Sequence, residues 1–253
     1  MNSLFNLTGK NAVVTGASRG IGRAIAIGLA SAGADVIVVA SKAAHAEGTA
    51  NQITLLGRRS TALGCDQSKV SNIRSTCAQI KEFFDHTDIL INNAGTIRRA
   101  PAVRYSDQDW DAVMNTNITG VFQFCREIGG DMMAQKSGKI INIASLLSFQ
   151  GGITVPAYAA SKGAVAQLTK ALANEWAATG VQVNAIAPGY IATDNTAALR
   201  ADTARNQEIL ARIPANRWGQ PEDLTGAAVF LSSAASDYVN GHILTVDGGW
   251  MGR

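Results

Sequence analysis

The sequence predicts a single α/β domain built on a doubly wound parallel sheet of about seven strands, Rossmann-like, with helices on both faces. Three observations predict it. Short runs that are apolar on both faces alternate with longer segments of helical period, the pattern of strands covered on each side. A glycine-rich turn, Thr15-Gly-Ala-Ser-Arg-Gly-Ile-Gly22, joins the first of these runs to the first helical segment. The 253 residues, 47% hydrophobic and 16% charged, supply one large core, and no repeat or low-complexity linker divides them.

The elements follow in order. Asn11–Thr15 reads as a strand, 21–32 as a helix and Asp35–Ala40 as the next strand. A helix around 46–56, a strand at Ser60–Gly64 and a helix over 70–84 come next. Two further strands, 88–92 and 139–144, enclose a long helical stretch that opens at Ser106, with Asp109 placed for an approximate capping box. Helix 156–179 leads to strand 181–187, and the last strand is 242–246. Right-handed crossovers between such strands give the doubly wound sheet. The segment 194–215 is the one long insertion and is expected to form a lid over the active site.

Composition excludes several functions. The net charge of +3 comes without a dense Lys/Arg run, so neither nucleic acid nor an anionic membrane is implied as a partner. Cys65, Cys77 and Cys125 form no C-x-x-C pair, which fits free thiols in a reducing compartment, and no metal site is expected. Met1-Asn-Ser-Leu-Phe-Asn-Leu-Thr8 lacks the basic and long apolar segments of a signal peptide. No run approaches the ~18 apolar residues of a membrane helix. The expectation is a soluble, cytoplasmic protein.

The glycine loop points to a dinucleotide. Gly16, Gly20 and Gly22 let the backbone approach a pyrophosphate, and the helix that follows offers free N–H groups and the positive end of its dipole. Its spacing is G-x-x-x-G-x-G, and Ser18, Arg19 and Ile21 complete the loop. A tight strand-to-helix turn needs glycine in any case, so it is the position after the first strand that gives the loop weight. The second strand ends at Ala40, followed by Ser41 and Lys42, with no carboxylate to repel a 2′-phosphate. Arg19 and Lys42 could pair with one, which favours NADP(H) and leaves NAD(H) open; solvated surface charges are the plain alternative. Asp66 follows the third strand, either as an acceptor for the adenine amino group or as a helix N-terminal acid.

Tyr158-Ala-Ala-Ser-Lys162 places a phenol and an ammonium on one face near the start of a helix. A phenol of pKa ~10 is a poor base at neutral pH. A cation at ~4 Å, in an effective dielectric of ~20, favours the phenolate by about 4 kcal/mol, which brings Tyr158 near pH 7. Ser145 ends the fifth strand, thirteen residues before Tyr158, where a hydroxyl can donate to a carbonyl oxygen held beside the phenol. The expected chemistry is hydride exchange between a nicotinamide and a carbinol or carbonyl carbon.

These motifs together resemble the short-chain dehydrogenase/reductase family over essentially the whole chain. The matching residues are Thr15 to Gly22, Asn92-Asn-Ala-Gly95, Asn117, Ser145, Tyr158-x-x-x-Lys162 and Pro188-Gly189 with Thr193. The resemblance implies that the segment 92–95, including Asn93, supports the sheet and lines the adenosine side. It implies that Lys162 also holds the nicotinamide ribose and that Asn117 anchors a water relaying protons to Lys162. Thr193 would bind the carboxamide, with Ile191 meeting it through the backbone. It further implies a homotetramer, with the strand at 246–250 packed across an interface.

Several stretches, among them 92–99, 145–158, 192–196, 212–219 and 236–241, resemble the members of this family that act on sugar acids in uronate breakdown. Such a substrate needs a cation for its carboxylate and polar groups for its hydroxyls. Arg98, Arg99, Arg217, Gln150 and Asn195 are the groups available on the expected crevice loops, with Arg99, Arg217 and Gln150, beside Ser145 and Tyr158, taken as substrate contacts. An exposed loop charge is the alternative for each arginine. A 3-oxoacyl-carrier-protein reductase or other carbonyl reductase would use the same catalytic set, but a carrier protein calls for a basic docking run that is not visible.

Overall fold

The computed structural model describes residues 3–253. Met1 and Asn2, with which the N-terminal segment considered above begins, lie outside the described residues. Seven parallel strands run in the order β3-β2-β1-β4-β5-β6-β7. In chain order the elements are β1 (Asn11–Thr15), α1 (Gly20–Ser31), β2 (Asp35–Ala40), α2 (Ala43–Leu55), β3 (Ser60–Gly64), α3 (Val70–Phe83) and β4 (Ile89–Asn92). They continue with α4 (Asp107–Met114), α5 (Gly120–Ala134), β5 (Gly138–Ile143), α6 (Pro156–Trp176) and β6 (Val181–Pro188). The last four are α7 (Ala197–Ala201), α8 (Thr203–Arg212), α9 (Thr225–Ser232) and β7 (Ile243–Val246).

Alternation along each strand feeds two cores. In β1, Ala12 and Val14 face the layer of α1, α2 and α9, where they meet Ile25, Leu29, Ile53 and Leu231. Val13 faces the opposite layer of α3, α5 and α6, with Ile73, Phe124, Leu172 and Trp176. In β4, Ile89 and Ile91 go one way and Leu90 the other. Each such side chain contributes about 1.5–3 kcal/mol by leaving water, so a strand apolar on both faces is held in the middle of the sheet rather than at its surface.

Chain direction along the sheet order reverses between β1 and β4, which pair in register from Ala12↔Ile89 to Val14↔Ile91. The crevice beyond their C-terminal ends is where ligands bind in such sheets. Behind it lies a buried polar rung. The Asn92 amide donates to Asn142 Oδ1 at 2.9 Å, and the Asn142 amide donates to Thr169 Oγ1 at 3.0 Å. These bonds lock β4, β5 and α6 together below the C-terminal ends of the strands.

The sequence reading differs from the structure mainly at helices. The helix expected at 46–56 starts earlier, at Ala43. The last turn of the helix expected to reach 179 tightens to a 3₁₀ turn at Ala177–Thr179, before Gly180 in the left-handed region. Ser106 does cap α4, accepting from the Asp109 N–H at 3.1 Å, but the long helical stretch after it is not one helix. Asn115–Thr119 is a π-turn between α4 and α5. No periodicity signal marks such a turn, because it adds only one residue to a pattern that otherwise continues.

Asn142→Leu should remove the bond accepted from Asn92 and the one donated to Thr169, leaving the Asn92 amide only Cys125 Sγ as acceptor and Thr169 only its bond to the Val165 carbonyl. We expect a loss of about 1–3 kcal/mol in urea unfolding. An unchanged midpoint would show that the rung contributes nothing.

Candidate active site

The glycine loop turns on two positive φ values, +64° at Gly16 and +56° at Gly20. Gly22 faces inward. A Cβ there would lie 2.3 Å from Asn93 Nδ2 and 2.4 Å from the Gly16 carbonyl oxygen, so this glycine serves close packing rather than a ligand. Asn93 fastens the loop, donating through Nδ2 to the Thr15 and Gly16 carbonyls at 3.0 and 2.9 Å. The Thr15 hydroxyl in turn accepts from the N–H groups of Asn93 and Ala94, both at 3.1 Å. α1 opens with no side-chain cap and no acid in its first turn, so its free N–H groups remain available to an anion.

A groove of about 660 Å³ runs from this loop, past the ends of β2 and β3, to Tyr158 and Lys162. Gly16, Ser18, Arg19, Gly20, Ile21, Gly22, Ser41, Asp66, Asn93, Ile191 and Thr193, all expected on the cofactor side, line it. Thr193 sits over the loop, its Cγ2 within 3.5 Å of a Cβ built on Gly20. Lys42 does not line the groove. It caps α2 in extended conformation, and successive side chains of an extended segment point to opposite sides, so with Ser41 turned in, Lys42 turns out. Asp66 is drawn into a local turn, accepting from Ser68 Oγ at 2.6 Å and Ser68 N at 3.1 Å. Those bonds, the Ser68 hydroxyl first, hold its carboxyl below the usual range.

Tyr158 and Lys162 stand one turn apart at the start of α6, behind Pro156 in its first turn. The Lys162 ammonium lies 5.7 Å from the phenol ring centroid and donates to the Ile143 carbonyl. Burial is the largest influence on both groups: it raises the Tyr158 phenol and lowers Lys162 to about 8. The Ser145 hydroxyl and then the charge of Arg99 pull the phenol back down. Sequence spacing put both groups on one face correctly but carried no information about desolvation, or about the strand-end carbonyl competing for the ammonium.

Ser145 begins a 3₁₀ turn, Leu146–Ser148; its oxygen accepts from the Leu147 N–H at 3.2 Å, and its hydroxyl is directed to the Tyr158 phenol. Ser148, which the sequence reading missed, donates to the Lys162 carbonyl at 2.7 Å and so clamps this turn to α6. Asn117 lies in the π-turn and is buried. Its Oδ1 accepts from the Thr96 N–H at 2.8 Å, and its Nδ2 donates to the Thr96 carbonyl at 2.9 Å and to Ser161 Oγ at 3.1 Å. The Asn117 side chain thus joins the loop after β4 to α6.

A second cavity of about 750 Å³ adjoins the groove. Arg99, Gln150, Leu199, Ile209, Arg212 and Trp250 are among its walls. The two spaces share Ser145, Tyr158, Pro188, Gly189, Asn195 and Thr196, so they meet at the Ser145 and Tyr158 hydroxyls. Arg217, expected as a substrate contact, is not brought there. Its guanidinium binds Asp223 through two bonds of 2.6 and 2.9 Å and donates to the Trp218 carbonyl at 3.1 Å, which also holds the Asp223 carboxyl down to about 2. Arg98 is likewise engaged locally, with Thr96 and Asp109. Among the described residues no group of three potential metal ligands occurs, and no helix is long and apolar enough to cross a membrane.

The family model for short chain dehydrogenases matches residues 10–204. The chain belongs to the short-chain dehydrogenases. It is 57% identical, over 98% of both chains, to the 2-dehydro-3-deoxy-D-gluconate 5-dehydrogenase of Pseudoalteromonas atlantica. It is 43% identical, over 99% of both, to the 5-keto-D-gluconate 5-reductase of Escherichia coli. Among solved structures, a gluconate 5-dehydrogenase from Burkholderia cenocepacia in complex with NADP and tartrate matches with a TM-score of 0.96 and 41% identity, covering 99% of this chain and 98% of that one. In this short-chain dehydrogenase the whole family set, Ser145, Tyr158 and Lys162 with Asn117 behind them, converges on one crevice.

The folded state gives up the Lys162 proton near pH 8, whereas the free side chain keeps it to about 10.5. The unfolded chain therefore binds more protons across that window, and stability rises with pH through it. Thermal midpoints of the wild type and Lys162→Met should diverge in favour of the wild type as pH climbs from about 8 to 10.5. A pH-independent difference would mean the amine keeps its proton in the fold.

Proposed function

We propose that this enzyme interconverts a secondary alcohol and a ketone on a sugar acid of the 2-deoxygluconate or 2-keto-3-deoxygluconate type, with NADP(H) as the hydride partner. The observation that carries the reading is the meeting of a dinucleotide-shaped groove and a separate cavity at Ser145 and Tyr158. The cavity's ionised walls point to an anionic substrate: Arg99, Arg205 and Arg212 stand against the single carboxylate of Glu208. The names of the relatives agree on sugar acids, and a carrier-protein reductase is not favoured.

The groove's residues fit the cofactor. No acid stands at the end of β2, and among the described residues Arg19 is held only by Asp194, in an ion pair whose side chains are 71% and 72% exposed. Such a pair is worth about 0–1 kcal/mol, so a 2′-phosphate takes Arg19 at little cost. Bound in the groove, the nicotinamide accepts or returns the hydride. Ser145 donates a hydrogen bond from its hydroxyl to the substrate oxygen, keeping its proton, and orients it. Tyr158 takes the alcohol proton on its Oη during oxidation and returns it during reduction, with Arg99 favouring the phenolate. Lys162 holds the ribose, Thr193 and Ile191 the carboxamide, Asn93 the adenosine side, and the π-turn backbone around Asn117 the relay water. Gln150 joins Arg99 as a substrate contact.

The segment 194–215, with α7 and α8, acts as the lid. A homotetramer is supported by the edge position of β7 and by exposed Trp110 and Phe122. A cytoplasmic location is supported by three buried free cysteines, two of them, Cys77 and Cys125, pushed up to about 12 by burial.

Two measurements test the reading. Tyr158→Phe should bind NADPH normally yet lose turnover of a keto sugar acid by about three or more orders of magnitude; a variant keeping a tenth of the rate would remove Tyr158 from the proton path. The wild type should show a higher kcat/KM with NADPH than with NADH, and Arg19→Ala should narrow that gap chiefly through KM. A native preference for NADH would overturn the cofactor assignment.

A further inference from the structure

The arginines around the second cavity are not equivalent. Arg205 is matched by Glu208 at 2.7 Å. Arg99 acts at the reacting end, where its charge reaches Tyr158. Arg212 has no carboxylate within salt-bridge distance among the described residues, and its guanidinium carbon lies 4.1 Å from the centre of the Trp250 ring.

That stack is built rather than accidental. Arg205, Glu208, Ile209 and Arg212 recur at one-turn spacing along α8 and all line the cavity, so the last turn of the helix presents Arg212 to it. The Ala211 and Arg212 carbonyls accept from Arg253 Nη1, both at 3.1 Å, which ties that turn to the chain's final segment. Trp250 is buried, with Tyr190 at 4.6 Å between ring centres and its indole N–H directed to Gln150 Oε1 at 3.5 Å. A guanidinium lying on an indole keeps its edge N–H groups free in a fixed plane, the geometry that meets a carboxylate through two bonds.

We propose that Arg212, seated on Trp250, receives the substrate's carboxylate and sets the enzyme's preference for sugar acids over neutral sugars. This rests on the sugar-acid reading above and identifies the group that enforces it. In a 5-keto hexonic acid the carboxylate is four carbons from the reacting carbon, so it calls for a cation other than the one beside the phenol. The division of labour follows: Arg99 tunes Tyr158, and Arg212 reads the far end.

The test compares 5-keto-D-gluconate with L-sorbose, which carries a hydroxymethyl group in place of the carboxylate. The ratio of their kcat/KM values, compared between variants, cancels differences in ring opening. The wild type should favour the acid by about ten- to a hundredfold, as expected for one charge-assisted pair. Arg212→Gln should cut that ratio by about tenfold while L-sorbose turnover and the KM for NADPH stay within about twofold. Arg212→Lys, keeping charge without the flat stack, should recover part of it. If Arg212→Gln slows both substrates equally, or leaves the ratio at the wild-type value, Arg212 does not read the carboxylate, although the sugar-acid reading survives. If the wild type itself shows no preference for the acid, that reading falls, and this inference with it.

Discussion

The Asn93 amide is the interaction on which the rest of the site depends. It reaches from the end of β4 across to the carbonyls of Thr15 and Gly16, bridging the two strands between which the sheet reverses direction. Two bonds from one side chain hold the glycine loop at the height where α1 opens toward the groove. The same contact explains why Gly22 tolerates no side chain, since the Asn93 amide fills the space where a Cβ would go. Packing and ligand geometry are set by one group, so the loop is shaped before any phosphate arrives.

From that tie the site extends by further bonds between neighbouring elements. Asn117 joins the loop after β4 to Ser161, and Ser148 joins the turn after β5 to the Lys162 carbonyl. Tyr158 and Ser145 are therefore carried by a helix and a strand end that cannot shift independently, as acid–base geometry requires. The burial that fixes them also pushes the phenol up and the lysine down, against what catalysis at neutral pH wants. Positive charge from Arg99, and from the oxidised nicotinamide when present, works in the opposite direction.

Much of this was legible in the sequence. Strands such as Asn11–Thr15 and Asp35–Ala40 are delimited by their apolar runs, because burial on both faces leaves little else the pattern can mean. Ser145, Tyr158 and Lys162 could be assigned because strand ends and one-turn helical spacing translate directly into position. What could not be read were contacts that depend on which way a long side chain turns. Arg217 looked as available as Arg99 until Asp223, six residues on, proved to hold it, and Lys42 looked as close to the groove as Ser41. Arg212 went unremarked because its contact is with Trp250, which is remote in sequence and adjacent only after folding.

The π-turn at Asn115–Thr119 has a consequence for how this chain can vary in length. A regular helix advances about 100° per residue, so one residue more or fewer rotates everything downstream by that angle. α4 and α5 each have their own buried stripe, Val113 on the first and Phe124, Cys125, Ile128 and Met132 on the second. The widened turn is the phase correction that lets both stripes face inward on what is otherwise a continuous rod. Gly120 seats against Gln67 directly after it, where a Cβ would come within 2.5 Å of that side chain. Deleting a single residue here would close the turn into ordinary helix with both stripes still facing inward, but it would remove the widened backbone that carries Asn117 to Thr96. The spacing between Ser106 and Gly120 is thus as strict a requirement as the identity of any residue within it.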